Sequence, residues 1–132
     1  MICLDTSFIV ELLRNRDAAL KKLIELEEEF LVATRITVFE ILFGIFLRGG
    51  FEKQKFSEAA AKILSNLMIL ELDELSSIRA AEIKSALVKT GGDLETTDCL
   101  IAGIMLAQNC KRIITKDKSH FERIKEIECV SY

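Results

Sequence analysis

The sequence predicts an α/β fold in which a central parallel sheet lies between two layers of helices, a three-layer α/β/α sandwich. Short apolar segments alternate along the chain with longer segments whose apolar residues recur at helical spacing. Strands separated by helices in this way pair in parallel, with helices on both faces of the sheet. Half of the 132 residues are apolar and 30% are charged, which is enough for a full hydrophobic core.

The first half of the chain is predicted to contain two strands and four helices. Residues 2–4 form a short apolar run that ends at an acid, and we interpret them as a buried strand. A helix over residues 7–14 follows, because its apolar residues recur at helical spacing. Asp17 can cap the next helix. The remaining elements are a helix over 17–29, a strand over 30–33, a helix over 37–48 and an amphipathic helix over 52–65.

The second half continues the alternation. The breaks at Gly49-Gly50 and Gly91-Gly92 are the strongest in the chain, and neither extends into a linker. We find no internal repeat or low-complexity tract, so we expect residues 1–132 to form a single domain. The predicted elements are a strand over residues 68–72, helices over 74–89 and 97–109, a strand over 112–115, a helix over 119–126 and an edge strand over 127–130.

Composition and charge exclude several classes of protein. The net charge of −3 provides no general basic surface, so contact with a polyanion would need a local basic patch or a bound cation. The longest apolar run, residues 99–107, is far shorter than the ~20 residues that span a bilayer, and the N-terminus lacks a signal-peptide pattern. Four cysteines without CxxC spacing and one histidine form no zinc motif. We therefore expect a cytoplasmic protein with reduced thiols, in which Cys99 and Cys110 are buried.

Four acids occupy positions where a charge is costly. Asp5 ends the first strand, Glu40 lies in the first turn of an apolar helix, Asp98 opens another apolar helix, and Asp117 follows a strand. The carboxyl ends of parallel strands meet at one edge of a sheet, so we expect the four carboxylates to converge there. Converging carboxylates repel each other and need a cation, and oxygen ligands select Mg²⁺ or Mn²⁺.

Three of these acids can also be interpreted as helix caps. Glu40 lies three residues after Thr37, the spacing of a capping box. Asp5 could cap the helix that begins near residue 7, and Asp117 could cap the helix over residues 119–126. Each alternative is about as strong as the metal interpretation when a residue is considered alone, and the joint placement of the four acids favours the metal site.

Asp98 is harder to explain as a cap, although Thr96 or Thr97 could already cap its helix. It is the only charge in a long apolar stretch, so we favour a functional role. Asp93 and Glu95 lie close to it in sequence and could be further pocket acids, turn residues or solvated charges. For these two we favour the turn or surface interpretation.

The sequence resembles the PIN-domain family, in particular the VapC-type toxin ribonucleases. The matching segments are residues 4–7 (LDTS), 37–44 (TVFEILFG), 97–102 (TDCLIA) and 114–121 (ITKDKSHF). Their order and spacing cover almost the whole chain. The resemblance implies a parallel α/β/α sandwich with one acidic pocket, a cognate VapB-type antitoxin and usually a homodimer. It assigns metal binding and catalysis to Asp5, Glu40, Asp98 and Asp117, and auxiliary polar roles to Thr6 or Ser7 and to Thr115.

The expected reaction is metal-assisted hydrolysis of RNA phosphodiester bonds. Asp5 and Asp98 would bind Mg²⁺ or Mn²⁺ directly, and Glu40 and Asp117 would bind it directly or through water. The resemblance implies products with a 5′-phosphate and a 3′-hydroxyl. A housekeeping RNA-processing nuclease with the same site, or a non-catalytic module whose acids only cap helices, are the alternatives.

Several other residues receive less specific interpretations. Arg14, Lys116 and Lys118 could contact RNA phosphates or be ordinary solvated charges. His120 is the only histidine of the chain and lies in a predicted helix, and we expect it to be a surface or capping residue. Four phenylalanines flank the Gly49-Gly50 break and could form a groove, a dimer interface or plain core. They are Phe43, Phe46, Phe51 and Phe56.

Overall fold

The computed structural model describes all residues from 1 to 132 and contains one five-stranded sheet. Every strand pairs in parallel with its neighbours, in the order β3-β2-β1-β4-β5. The strands are β1 (Ile2–Leu4), β2 (Leu31–Thr34), β3 (Met68–Leu70), β4 (Arg112–Ile114) and β5 (Glu128–Val130). The predicted parallel sheet is therefore confirmed, with five strands near the predicted positions.

Seven helices cover both faces of the sheet. They are α1 (Thr6–Leu13), α2 (Asp17–Glu25), α3 (Arg35–Phe46), α4 (Gly50–Ser65), α5 (Glu74–Lys89), α6 (Thr96–Ala107) and α7 (Lys118–Phe121). Alternate residues of β1 enter different cores: Ile2 and Leu4 pack with α1, α3 and α4, whereas Cys3 packs with α5 and α6. This division confirms the three-layer α/β/α sandwich. None of the helices combines the length and apolar composition needed to cross a bilayer.

The chain changes direction across the sheet beside β1. From β1 it proceeds to β2 and β3 on one side, and it then returns to place β4 and β5 on the other side. Such a switch point opens a crevice at the carboxyl ends of the two strands, because the connections leave in opposite directions. The residues that immediately follow β1 and β4 are Asp5 and Thr115, so the topology brings these two buried side chains to the crevice.

Several helix boundaries differ from the predictions by two residues or more. α3 begins at Arg35 rather than at residue 37, because Thr34 caps it and accepts the Thr37 N–H at 3.1 Å. α2 ends at Glu25, four residues early. α7 has only four residues, and the chain after Phe121 forms successive turns instead of helix. Phe121, Ile124 and Ile127 are buried at a spacing of three residues, a pattern that tight turns share with a helix.

Because the two helices that carry Glu40 and Asp98 are apolar nearly all round, both are expected to be buried, and this expectation is correct for α6 and wrong for α3. α6 buries most of its side chains, whereas α3 buries only one face through Val38, Ile41 and Ile45. Its other face is exposed and continues onto the start of α4. We call this face the aromatic surface, and it contains Phe39, Phe43, Phe46, Leu47 and Phe51. Phe56 is half-buried against the core and does not belong to this surface.

Close contact between α5 and α6 fixes the helix that carries Asp98. At Gly103 of α6, a Cβ atom would lie 2.6 Å from the Cβ and backbone nitrogen of Ala80. That distance is shorter than any allowed contact, so only glycine lets the two helices approach so closely. The position of the first turn of α6, beside the end of the sheet, depends on this contact.

Candidate active site

A polar cavity opens at the carboxyl ends of β1 and β4. Its volume is about 220 Å³, and no hydrophobic, lysine or arginine side chain lines it. We call it the acidic cavity. It brings together the four predicted acids Asp5, Glu40, Asp98 and Asp117, which are widely separated in the sequence. The other lining residues are Thr6, Ser7, Glu95 and His120.

Asp5 is the buried acid of the cavity, with 4% of its surface exposed. Its Oδ2 accepts a hydrogen bond from Thr115 Oγ1 at 2.7 Å and a longer one from Ser7 Oγ at 3.3 Å. Although Asp5 immediately precedes α1, its side chain makes no capping hydrogen bond. The interpretation of this carboxylate as a cap is therefore wrong. Hydroxyl groups from the end of β4 and the start of α1 hold it instead.

The same two hydroxyls hold the loop that follows β4. Ser7 Oγ accepts the backbone N–H of Lys116 at 2.9 Å, and Thr115 Oγ1 accepts that of Asp117 at 2.9 Å. The two oxygens lie 3.1 Å apart. Asp117 precedes α7, but its side chain makes no capping bond, so the cap interpretation is wrong here too. Ser7 and Thr115 thus position Asp5 and Asp117 relative to each other.

Glu40 reaches the cavity from the second turn of α3, not from the first turn as predicted. Because Thr34 is the cap and Arg35 the first helical residue, the proposed capping box between Thr37 and Glu40 does not form. The Glu40 carboxylate instead accepts a hydrogen bond from Thr6 Oγ1 at 2.7 Å. Thr6, the residue after Asp5, therefore links Glu40 of α3 to the start of α1.

Asp98 lies in the first turn of α6 and pairs with the only histidine of the chain. His120 Nδ1 lies 3.0 Å from Asp98 Oδ2. Glu95 occupies the cap position of α6, so neither Thr96 nor Thr97 caps that helix. The expectation that His120 is a surface or capping residue is incomplete, because its side chain is partly exposed but its ring also lines the cavity. The sequence signal was weak, since His120 lies in a short segment whose path could not be predicted.

The two remaining acids near Asp98 occupy different surroundings. Glu95 is exposed, as the surface interpretation predicts, but it also lines the cavity. Asp93 is exposed outside the cavity and accepts a hydrogen bond from Lys84 Nζ at 2.7 Å, so the same interpretation is correct for Asp93. Lys84 also donates to the Leu94 carbonyl, and Arg123 donates to the Asp93 carbonyl at 2.5 Å. These cations hold the loop from which Glu95 enters the cavity.

The cavity disfavours negative charge on its carboxylates. Burial raises the pKa values of Asp5, Glu40 and Asp98 above the ordinary carboxyl range. Hydrogen bonds from Thr115, Thr6 and His120 oppose that increase. Neighbouring carboxylates raise the same pKa values further. In the absence of a compensating cation, the site stores unfavourable electrostatic energy that a positive charge would relieve.

The donor set of the cavity suits a hard divalent cation. Its possible ligands are carboxylate and hydroxyl oxygens with one imidazole, and no thiol is present. No three His, Cys, Asp or Glu side chains converge closely enough to form a ready metal site. The carboxylates line the walls and accept hydroxyl or imidazole hydrogen bonds instead. Side-chain rotation toward the cavity would therefore accompany metal binding.

None of the three predicted RNA-contacting cations lines the acidic cavity. Lys116 Nζ pairs with Glu11 at 3.2 Å, and Lys118 Nζ donates to Ser131 Oγ at 2.9 Å. Arg14 is exposed and lines a separate groove that begins at Glu40. The cavity itself thus contains no cationic side chain other than His120, whose charge depends on protonation.

Comparisons with known proteins agree with this architecture. The sequence model of the PIN-domain family matches residues 2–127 of the chain. No curated protein sequence is significantly similar to the chain.

Similar solved structures cover nearly the whole chain. A chain of VapBC2 from Rickettsia felis, bound to a fragment of promoter DNA, aligns with a TM-score of 0.88 at 21% identity, covering 100% of this chain and 99% of that one. DNA-bound VapBC from Salmonella typhimurium gives 0.84 at 21%, covering 98% and 96%. FitAcB from Neisseria gonorrhoeae gives 0.85 at 24%, covering 99% and 97%. These similarities show the same fold, and with the family match over residues 2–127 they establish that the chain belongs to the PIN-domain family.

Proposed function

We propose that the chain is a divalent-metal-dependent endoribonuclease and the toxin of a type II toxin–antitoxin pair of the VapBC kind. The observation that carries the proposal is the acidic cavity, where a PIN-domain chain brings Asp5, Glu40, Asp98 and Asp117 together without a neutralising lysine or arginine. Residues 1–132 are proposed to act as one domain. The similarity to chains from VapBC complexes supports the toxin assignment.

Asp5 and Asp98 are the proposed direct ligands of the metal, and Glu40 and Asp117 hold it directly or through ordered water. A bound Mg²⁺ or Mn²⁺ would lower the pKa of a water nucleophile and stabilise charge on the phosphodiester. Thr115 and Ser7 orient Asp5 through their hydroxyls, and Thr6 orients Glu40. These hydrogen bonds hold the carboxylates at the walls of the cavity, at the rigid end of a sheet, and the side chains would rotate from there to reach the metal.

The test is cleavage of RNA by the purified protein with Mn²⁺, followed by addition of a chelator. We expect cleavage that the chelator stops, with 5′-phosphate and 3′-hydroxyl ends. Asp5→Asn and Asp98→Asn should each lower the rate by roughly 100-fold or more, because each removes a metal ligand. Asp93→Asn, which changes an exposed acid outside the cavity, is the matched control and should leave the rate unchanged.

Circular dichroism separates loss of activity from loss of fold. If folded Asp5→Asn and Asp98→Asn proteins cut RNA as fast as the unchanged chain, the assignment of these acids is wrong. If the unchanged protein does not bind Mn²⁺ by calorimetric titration, the chain is a binding module whose acids have no metal role.

We further propose that the cognate VapB-type antitoxin covers the aromatic surface. Phe43, Phe46 and Phe51 have 57%, 65% and 80% of their surface exposed, which is unusual for side chains of this size. Phe39 and Phe43 stack with ring centroids 6.2 Å apart, so they present a continuous apolar face. An amphipathic helix of a partner could bury this face.

Co-expression with the product of an adjacent small gene tests this partner. We expect a stable complex that a Phe43→Gln/Phe46→Gln variant weakens, while Val88→Gln, at an exposed apolar residue on α5, leaves it intact. A complex unaffected by the first variant would contradict the assigned surface, and the absence of any DNA-binding partner gene would favour a housekeeping nuclease. The homodimer prediction is checked by light scattering of the isolated chain, where a monomer mass would contradict it.

A further inference from the structure

An apolar groove begins at the edge of the acidic cavity. It has a volume of about 180 Å³ and lies between α1, α3 and α4. Leu13, Ile41 and Phe56 contribute to its apolar lining. Glu40 lines both this groove and the acidic cavity, so the two are adjacent.

A second hollow extends the groove away from the acids. Its volume is about 270 Å³, and it lies between α1, α2 and α4. Leu13 and Phe56 line both hollows and form their common wall. Together the two hollows make a continuous depression from Glu40 to Lys62, and we call it the basic groove.

The charges of the basic groove have one dominant sign. Arg14 and Arg48 line its first part, and Lys55 and Lys62 line its second part. Glu40, at the junction with the acidic cavity, is the only acid that lines it. The chain as a whole has 21 acidic and 18 basic residues, so this arrangement is a local exception. It is the local basic patch that an acidic protein needs in order to contact a polyanion.

Three of the four cations have no acidic partner. Arg14, Lys55 and Lys62 take part in none of the ion pairs of the structure, whereas Arg48 pairs with Glu52 at 3.2 Å. The other strongly held cations, such as Arg112, are neutralised by neighbouring carboxylates. The unpaired cations therefore leave positive potential along the groove.

An aromatic ring lies among these cations. The Arg48 guanidinium carbon is 4.3 Å from the centroid of the Phe56 ring, and Lys55 Nζ is 5.8 Å from it. Cations beside an aromatic and aliphatic floor are the combination that proteins use for single-stranded nucleic acid, where phosphates meet the cations and unpaired bases meet the apolar surface. A duplex hides its bases and would use the cations alone.

We propose that the basic groove binds the single-stranded RNA on one side of the bond that is cleaved in the acidic cavity. This inference rests on the proposed ribonuclease function and adds the path of the substrate. Phosphates would contact Arg14, Lys55 and Lys62, and a base would pack on the floor beside Leu13 and Phe56. Glu40, at the junction, would repel the next phosphate unless a cation neutralised it, because like charges repel.

Binding of fluorescein-labelled single-stranded RNA in the presence of chelator tests the groove without cleavage. The variant is Arg14→Gln/Lys62→Gln, and the matched control is Lys89→Gln/Lys111→Gln, which changes the net charge equally. Lys89 ends α5 and Lys111 precedes β4 at the opposite end of the sheet, and both are exposed and unpaired. We expect the groove variant to bind roughly 10-fold more weakly at low salt, and the control to bind within about 2-fold of the unchanged chain.

The salt dependence gives a second, independent readout. Loss of two phosphate contacts should reduce the slope of log affinity against log salt by about 1.4 for a single strand. The same RNA in duplex form should bind more weakly than the single strand. Equal binding by the groove and control variants would overturn the proposal, as would tighter binding of the duplex.

A third outcome assigns the groove to a protein. If the groove variant weakens the complex with the antitoxin but leaves RNA binding unchanged, the groove is a protein docking site and the proposal is wrong. A failure of the proposed function itself has a different signature, because the unchanged chain would then not cut RNA with Mn²⁺ whatever the groove binds.

Discussion

The carboxylates of the acidic cavity and those of the outer surface have pKa values that are shifted in opposite directions. In the cavity, burial and like-charged neighbours raise the pKa values of Asp5, Glu40 and Asp98. On the outer surface, hydrogen bonds from basic side chains lower the pKa values of Glu29, Glu71 and Asp93. The partners on the outer surface are Arg112, Arg35 and Lys84, respectively.

The difference shows that the chain does not lack cations for its acids. It places them beside exposed carboxylates and leaves the buried ones with hydroxyls and a single imidazole. Buried carboxylates without a cationic partner reduce the stability of the folded chain. They are typical of a functional site, where a bound cation would neutralise them. The comparison predicts that neutralising substitutions in the two regions change the stability of the metal-free chain in opposite directions.

The largest expected difference concerns metal binding. Asp5→Asn should weaken Mn²⁺ binding by roughly 100-fold or more, because it removes the negative charge of a buried carboxylate that we propose as a metal ligand. Glu29→Gln, which removes a partly exposed acid already paired with Arg112, should leave Mn²⁺ affinity unchanged. Calorimetric titration of both variants against the unchanged chain measures the difference.

Thermal unfolding gives an independent readout of the same prediction. A ligand that binds only the folded state raises the unfolding temperature, so saturating Mn²⁺ should stabilise the unchanged chain and Glu29→Gln but not Asp5→Asn. Equal stabilisation of all three proteins would place the metal outside the acidic cavity and remove the functional meaning of the comparison.

The sequence was sufficient to predict four of the five acids that line the cavity. Asp5 and Asp117 follow short apolar strands, and parallel strands end at one edge, so their proximity follows from the fold class alone. Asp98 could be predicted because an isolated charge in an apolar helix requires a reason. These inferences depend on periodicity and on strand ends, which local sequence determines well.

The remaining members of the site depend on contacts that local sequence does not determine. Glu95 enters the cavity because Lys84 and Arg123 hold its loop, and neither cation is near it in sequence. His120 reaches Asp98 because the chain after β4 forms a helix of only four residues followed by turns. The turn of α3 that carries Glu40 was misplaced because Thr34, not Thr37, caps the helix.

A second, smaller difference concerns stability in the metal-free protein. Asp5→Asn should raise the free energy of unfolding at pH 7.5 by on the order of 1 kcal/mol, because it removes a buried charge while keeping an oxygen that accepts the Thr115 hydroxyl. Denaturant unfolding in the presence of chelator measures the change.

The pH dependence of this gain has a defined sign. The folded-state pKa of Asp5 is raised, so the folded chain binds the proton more tightly than the unfolded chain does. The unchanged chain therefore loses stability as pH rises from about 4 through the raised pKa, and the advantage of Asp5→Asn should vanish below about pH 4. A variant that is less stable than the unchanged chain at pH 7.5, or a gain that does not vary with pH, would show that the cavity does not penalise this charge.

The smallest expected effect belongs to the outer surface and has the opposite sign. Glu29 accepts two hydrogen bonds from the Arg112 guanidinium, at 3.1 and 2.9 Å, and the folded-state pKa of Glu29 is lowered mainly by them. Its contribution is present above the ordinary glutamate pKa and disappears as pH falls through the lowered value. Glu29→Gln should therefore reduce the unfolding temperature slightly at pH 7.5 and have no effect at low pH. Because the pair is partly exposed to solvent, the loss should also shrink at high salt, whereas the gain from Asp5→Asn at a buried carboxylate should depend less on salt. If both variants changed stability in the same direction at pH 7.5, the two sets of carboxylates would not differ as their surroundings indicate.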